Sequence, residues 1–343
     1  MLADDFSYDL PGDRIAQTPV EPRDSSRLMV CRRDSGAIGH RLFRDLPDYL
    51  EPGDTLVINE SRVLPARLIG HKPGTGGAVE LLLLKRLSLT RWEALVRPGA
   101  RLREGAAVEF GGGLLRAEIL GRAPGNARVV DFSWDASSGA FERLLDRLGE
   151  MPLPPYIREK LDDPERYQTV YAKTSGSAAA PTAGLHFTSG LLQRVVDKGV
   201  GVARVTLHVG LGTFRPVHSG EVEAHEMHEE YYELSADAAL KINHARETNH
   251  RVVCVGTTSV RTVESCARGG RVVPSSGWTN IYIYPGYKYQ AVDAMVTNFH
   301  LPKSTLLMLV SAFWTREAAL DAYRLAVEER YRFYSFGDAM LIL

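Results

Sequence analysis

The chain changes its hydrophobic rhythm three times. Over the first sixty residues, apolar runs are short and continuous. Arg27-Leu-Met-Val-Cys31 and Thr55-Leu-Val-Ile-Asn59 read as buried strands. Between them, Phe43, Leu46, Tyr49 and Leu50 fall at helical spacing before Pro52-Gly53 ends the segment. From about Arg67 to Trp134 the runs alternate with Gly and Pro. Residues 78–84, 91–96, 107–110, 114–120 and 127–132 are separated by Pro73-Gly74-Thr75-Gly76-Gly77, Pro98-Gly99, Gly111-Gly112-Gly113 and Pro124-Gly125. Short strands at this spacing predict a small antiparallel barrel. A helix over 139–148 returns the chain.

Past residue 150, strand and helix patterns alternate. Helices are expected at 189–198, 236–246, 259–268, 304–314 and 317–329, with Ser304 as an N-cap. Strands are expected at 200–209, 251–256, 294–297 and 339–343. Such alternation predicts an α/β fold: a mainly parallel sheet with flanking helices, plus the inserted barrel. The expected domains are 1–62 with 149–343 as a discontinuous catalytic α/β domain, and 63–148 as a basic insertion.

Length and composition allow two domains. The chain has 343 residues, 44% hydrophobic and 24% charged, as in ordinary globular proteins. The longest apolar runs are too short to span a bilayer, and the N-terminus has no signal-peptide pattern, so no membrane association is expected. Three cysteines without a CxxC pair argue against a disulfide framework or a cysteine zinc site and fit a reducing cytosol. Net charge is −1, yet residues 61–130 carry 12 Lys and Arg against 5 Asp and Glu, a balance of +7. The remainder holds 29 against 37, or −8. A solvated surface explains this; so does a patch for phosphates.

Several loops concentrate chemistry. Ala180-Pro-Thr-Ala-Gly-Leu-His186-Phe-Thr188 and Thr297-Asn-Phe-His300-Leu-Pro-Lys303-Ser304 each offer a His with hydroxyl or amide groups at the mouth of a helix. Gly256-Thr257-Thr258-Ser259 runs from a strand into a helix. Free N–H groups and hydroxyls there suit an anion or a carboxylate; three competing caps are the plainer explanation, but Arg261 and Glu264 one turn on favour the site. His208 ends a strand before a Gly-rich turn. Asp293 is a base, a hydroxyl acceptor or a turn residue. His225-Glu-Met-His228-Glu-Glu230-Tyr-Tyr232 has His-x-x-His spacing but no helical frame, so substrate contact by His228 and Glu230 is preferred to metal binding. Arg166 and Tyr167, in a stretch rich in Arg, Tyr and Gln, suit RNA contact or core packing.

These segments together resemble the S-adenosylmethionine:tRNA ribosyltransferase-isomerase family of queuosine biosynthesis. The likeness is carried by Tyr8-Asp-Leu-Pro11, Ser26-Arg27-Leu28, His40 to Pro47, Arg62-Val-Leu-Pro-Ala-Arg67-Leu and Gly149-Glu-Met-Pro-Leu-Pro-Pro-Tyr156-Ile. It continues through Glu165 to Ala172, Ala180 to Thr188, Val205-Thr-Leu-His208-Val-Gly, Gly256 to Thr262, Thr297 to Leu309 and Tyr331-Arg-Phe-Tyr-Ser-Phe-Gly-Asp338. Two departures are mild: Asn59-Glu60-Ser61 stands for an expected Asn-Asp-Thr, and Glu230-Tyr231-Tyr232 for Glu-Trp-Tyr.

The resemblance implies an α/β domain with an inserted β-barrel. It also implies transfer and isomerisation of the ribosyl group of S-adenosylmethionine onto 7-aminomethyl-7-deazaguanine in tRNA. Epoxyqueuosine-tRNA forms while adenine and methionine leave, so S-adenosylmethionine is a substrate and no cofactor or metal is expected. The partner would be a GUN-anticodon tRNA, met by a monomer. Such chemistry needs a base for the ribose 5′ C–H, an acid near adenine, exclusion of water and a pocket for the methionine carboxylate. The candidates are His186 or His208 as base or acid, with His300 and Asn298 orienting the ribose. Thr182, Thr188, His228, Glu230, Tyr232, Thr257, Thr258, Ser259, Arg261 and Lys303 are expected to bind substrate; Arg97, Arg101, Arg103, Arg166 and Tyr167 to bind tRNA. The rivals are a metal-dependent hydrolase built on His186, His208, His225, His228 and His300, and a non-catalytic tRNA-binding protein.

Overall fold

A computed structural model describes residues 1–159, 161–210 and 220–343, without the side chains of Arg101 and Ser138. Its strands and helices run in the order β1 (Arg27–Cys31), β2 (Ile38–Leu42), β3 (Thr55–Asn59), β4 (Arg67–His71), β5 (Ala78–Arg86), β6 (Arg91–Arg97), β7 (Ala107–Phe110), β8 (Leu115–Arg122), β9 (Arg128–Ser133) and α1 (Phe141–Leu148). Then follow α2 (Ser189–Asp197), β10 (Gly201–Leu207), β11 (Glu230–Leu234), α3 (Ala236–Glu247), β12 (Val252–Val255), α4 (Gly256–Cys266), β13 (Ser275–Thr279), β14 (Ala294–Asn298), α5 (Thr305–Phe313), α6 (Arg316–Glu328) and β15 (Ala339–Ile342). The chain divides into two compact units: 1–62 with 154–174 and 180–343, and 63–153 with 175–179.

The first unit is a nine-stranded sheet in the order β13-β11-β10-β3-β12-β14-β15-β1-β2. Strands β10, β3, β12 and β14 run parallel, and β15 is parallel to β1. The edge pairs β13–β11, β11–β10 and β1–β2 are antiparallel, as is β14–β15, so the sheet is mixed. Strands β3, β12 and β14 are buried along their whole length because both their faces are covered. On one face Leu28, Val30, Leu56, Ile58, Val253, Val255, Val296 and Leu341 bury against Phe43, Phe187, Leu191 and Val195. Each such side chain contributes about 1.5–3 kcal/mol on burial.

Two expected helices differ in kind or extent. Residues Phe43–Tyr49 form a 3-10 turn, since Pro47 removes a donor mid-segment. Helix α4 starts at Gly256, three residues before the expected Ser259, because Gly256 takes φ +83° and turns the chain directly off β12.

The second unit is a six-stranded antiparallel barrel in the order β4-β5-β6-β9-β8-β7, closed by the His71–Glu109 pairing of β4 with β7. Inward Leu68, Leu81, Ile119, Val130 and Phe132 pack with Phe141, Leu144 and Leu145 of α1. The unit runs past residue 148 because Gly149-Glu150 pairs with Arg67-Leu68 of β4. No helix among the described residues is long and apolar enough to cross a membrane.

Candidate active site

At the carboxyl ends of β10, β12 and β14 the first unit opens into a cleft. Open α/β sheets bind ligands at this edge, where successive connections leave to opposite sides of a central strand; here β10 and β12 flank β3. Val209 follows β10. Gly256, Thr257 and Thr258 begin α4. Thr297 and Asn298 end β14, Phe299 to Leu301 and Ser304 lead into α5, which adds Leu306, and Ala180 to Ala183, Tyr156, Tyr334 and Ser335 complete the wall.

A hydrogen-bond chain connects this wall to the core. Asn298 Nδ2 donates to the Tyr334 carbonyl (3.2 Å) and to His186 Nε2 (3.1 Å). His186 Nδ1–H must then donate to Ser26 Oγ (2.8 Å), which fixes the tautomer. Asn298 Oδ1 accepts from Thr182 Oγ1 (2.9 Å). His186 is buried, stacked on Phe43 at 4.9 Å, and burial pushes its pKa down to about 3, so the ring is neutral. Gly184 makes the turn that carries Thr182 and His186: a Cβ there would lie 2.1 Å from Tyr171 Oη.

The other two histidines differ. His300 lines the cleft, bonds Thr297 Oγ1 through Nε2 (2.8 Å), and is pushed down by burial to about 3. His208 stacks on Tyr231 at 5.9 Å, is lowered by burial to about 4, and has a buried Nδ1 with no hydrogen-bond partner among the described residues. Behind the cleft, Arg261 Nη1 donates to Glu230 Oε2, both side chains 4% exposed, and Glu230 Oε1 accepts from the Gly210 amide (2.8 Å).

The structure brings Thr182, Asn298, His300, Thr257 and Thr258 together and places other candidates elsewhere. His186 is off the main cleft, with both ring nitrogens engaged, so it positions Asn298 and is not exposed as a base. Thr188 caps α2 by accepting from the Leu191 amide and donates to Asp24. Lys303 is held by Asp4 at 2.6 Å and is not on the cleft wall. Ser259 turns inward to the Val255 carbonyl (2.7 Å). Tyr232 Oη meets Ser275 Oγ (3.0 Å) on the neighbouring strand, and His228 is exposed away from the cleft lining. Asp293 is a turn residue that accepts from the Val252 amide.

Tyr167 is fully buried against Phe336, which rules out base stacking in this conformation. Arg166 pairs with Glu21 (2.7 Å) and lines a smaller cleft with Arg23 and His186. Arg97 and Arg103 are exposed on the second unit; the Arg101 side chain lies outside the described residues. Gly212 and Thr213 of the Gly-rich turn after His208 also lie outside them. Among the described residues, no three His, Cys, Asp or Glu side chains converge to hold a metal ion.

Sequence reasoning did not single out Ser26, Tyr156, Tyr334 or Ser335. Tyr334 adopts φ +71°, a left-handed conformation unusual for a bulky residue, held by Asn298 and by its amide bond to the Phe299 carbonyl. Only the run Tyr331 to Asp338, quoted above for its resemblance, marked that loop.

Comparison with known proteins agrees along the full length. The family model described as queuosine biosynthesis protein matches residues 3–342. A relative from Symbiobacterium thermophilum named S-adenosylmethionine:tRNA ribosyltransferase-isomerase is 61% identical, with 100% of both chains covered. One of the same name from Desulfitobacterium hafniense is 58% identical over 100% of both. A crystal structure described as an S-adenosylmethionine tRNA ribosyltransferase from Thermotoga maritima is 41% identical, with a TM-score of 0.57 over 99% of this chain and 100% of that one. With its cleft at the carboxyl edge of the sheet and this full-length likeness, the chain belongs to the queuosine biosynthesis protein family.

Proposed function

We propose that this protein is an S-adenosylmethionine:tRNA ribosyltransferase-isomerase. It moves the ribosyl group of S-adenosylmethionine onto the 7-aminomethyl-7-deazaguanine base of a GUN-anticodon tRNA, giving epoxyqueuosine-tRNA, adenine and methionine. The observation that carries this is the match to the family across residues 3–342, with relatives of that name at 58–61% identity. The cleft supports it. Its walls are mostly apolar or hydroxylic, as suits a reaction that forms carbanion character beside a sulfonium and must exclude water.

Within the cleft, His300 is the candidate to take the ribose 5′ proton, since it is neutral and lines the wall. Asn298 and Thr182 orient the substrate. Arg97 and Arg103 of the second unit contact tRNA phosphates. The enzyme acts as a cytoplasmic monomer and uses no cofactor or metal.

Incubating the purified protein with S-adenosylmethionine and tRNA bearing the aminomethyl base should release adenine and methionine in equal amounts, quantified by liquid chromatography. Release should require the tRNA and survive EDTA. Intact S-adenosylmethionine would favour a binding protein; EDTA-sensitive hydrolysis would favour a metal-dependent hydrolase.

A further inference from the structure

We propose that the cleft holds the amino-acid end of S-adenosylmethionine in a two-part subsite, the carboxylate on the start of α4 with the Thr258 hydroxyl, and the α-ammonium on Thr182 Oγ1. This rests on S-adenosylmethionine being the substrate of the cleft.

The carboxylate half follows from two independent observations. Helix α4 is 11 residues long and its start has no side-chain cap, so its first amides, at Gly256, Thr257 and Thr258 on the cleft wall, retain donors and partial positive charge. Thr258 is nine-tenths buried on the same wall, and its Oγ1 has no hydrogen-bond partner among the described residues. A buried unpaired hydroxyl costs about 1–3 kcal/mol, which a ligand oxygen would offset. Among the described residues no Lys or Arg lines the cleft, and the backbone dipoles of the α4 start supply positive potential there.

The ammonium half follows from proton counting. Both Asn298 amide protons are committed, to Tyr334 O and His186 Nε2, so Oδ1 must face Thr182. Thr182 has one hydroxyl proton and gives it to Asn298 Oδ1. Toward the cleft it therefore offers lone pairs alone and selects a donor. Among the described residues no carboxylate lines the cleft to compete for a cation. The two halves adjoin: a Cβ on Gly256 would lie 3.5 Å from both Ala183 Cβ and Thr258 Oγ1. An α-amino acid needs such adjacency, because its two charged groups share one carbon. His186 is a positioning residue here; its neutral Nε2 keeps Asn298 from flipping.

The test pairs ligand deletions with isosteric variants, using calorimetry on the full chain. The ligands are S-adenosylmethionine, its decarboxylated form and 5′-methylthioadenosine, which lacks the amino acid. Wild type should bind the decarboxylated form at least tenfold more weakly than S-adenosylmethionine, which needs no variant to fold. Thr258→Val should weaken S-adenosylmethionine about tenfold and leave the decarboxylated form unchanged. Thr182→Val should weaken both about tenfold and spare 5′-methylthioadenosine, and Thr182→Ser should bind as wild type. Equal losses on all three ligands in either variant would assign the hydroxyl to the nucleoside and overturn the proposal. A wild type that binds 5′-methylthioadenosine and S-adenosylmethionine equally would do the same. A wild type that binds none of the three would instead remove the substrate assignment itself.

Discussion

Removing the charge of Glu230 should destabilise the protein more than any ordinary surface change. Arg261 and Glu230 are each 4% exposed, and Arg261 Nε and Nη2 have no hydrogen-bond partner among the described residues, so the ion pair is the guanidinium's main compensation there. Glu230→Gln retains a carbonyl oxygen for the Gly210 amide and preserves shape, isolating the charge. Leaving one partner of a buried pair uncompensated costs about 3–5 kcal/mol. Urea unfolding of wild type and variant, fitted with a shared slope, reads this as a lowered midpoint. The double variant Glu230→Leu/Arg261→Met should recover most of the loss, because apolar replacements of buried pairs are often neutral or stabilising. A loss below about 1 kcal/mol in Glu230→Gln, or a double variant no better than the single, would refute the argument that Arg261 depends on Glu230.

Three further outcomes follow. His186 is held near pKa 3 against an ordinary value of about 6.5, so its contribution is fully present above pH 6.5 and is lost as pH falls toward 3. From pH 6.5 to 5 that is about 2 kcal/mol, with His208 and His300 acting in the same direction; thermal melts of His186→Gln should show a shallower acid decline, and an unchanged decline would contradict it. Gly184→Ala would place a Cβ 2.1 Å from Tyr171 Oη and 2.8 Å from Thr169 Cγ2, so stability should drop about 1–3 kcal/mol and turnover more than tenfold as Thr182 shifts; wild-type melting and turnover would show that the turn yields freely. Arg97→Ala/Arg103→Ala should weaken tRNA binding and flatten the slope of log affinity against log salt by about 1.4–1.8, and an unchanged slope would make the pair ordinary solvated surface.

Sequence showed most clearly what local physics decides. Strands β1 and β3 matched their continuous apolar runs because both faces are buried. The Ser304 cap was readable from its place before an apolar helix. Strands β11 and β13 were not, since Glu230–Leu234 and Ser275–Thr279 mix polar and apolar positions at the sheet's antiparallel edge. The loops bearing His186 and His300 were legible as chemistry, but the partner of each group was not. Ser26, Thr182, His186 and Asn298 meet only through tertiary packing of segments far apart in sequence, and the left-handed Tyr334 has no local signature. Tyr167 shows the converse: an aromatic beside Arg suggested RNA stacking, while tertiary packing buried it.

The most direct test of the central claim is mass spectrometry of a GUN-anticodon tRNA carrying the aminomethyl base, after incubation with this protein and S-adenosylmethionine. The wobble nucleoside should gain a mass matching an epoxycyclopentanediol group. A tRNA of unchanged mass, with S-adenosylmethionine intact, would contradict it.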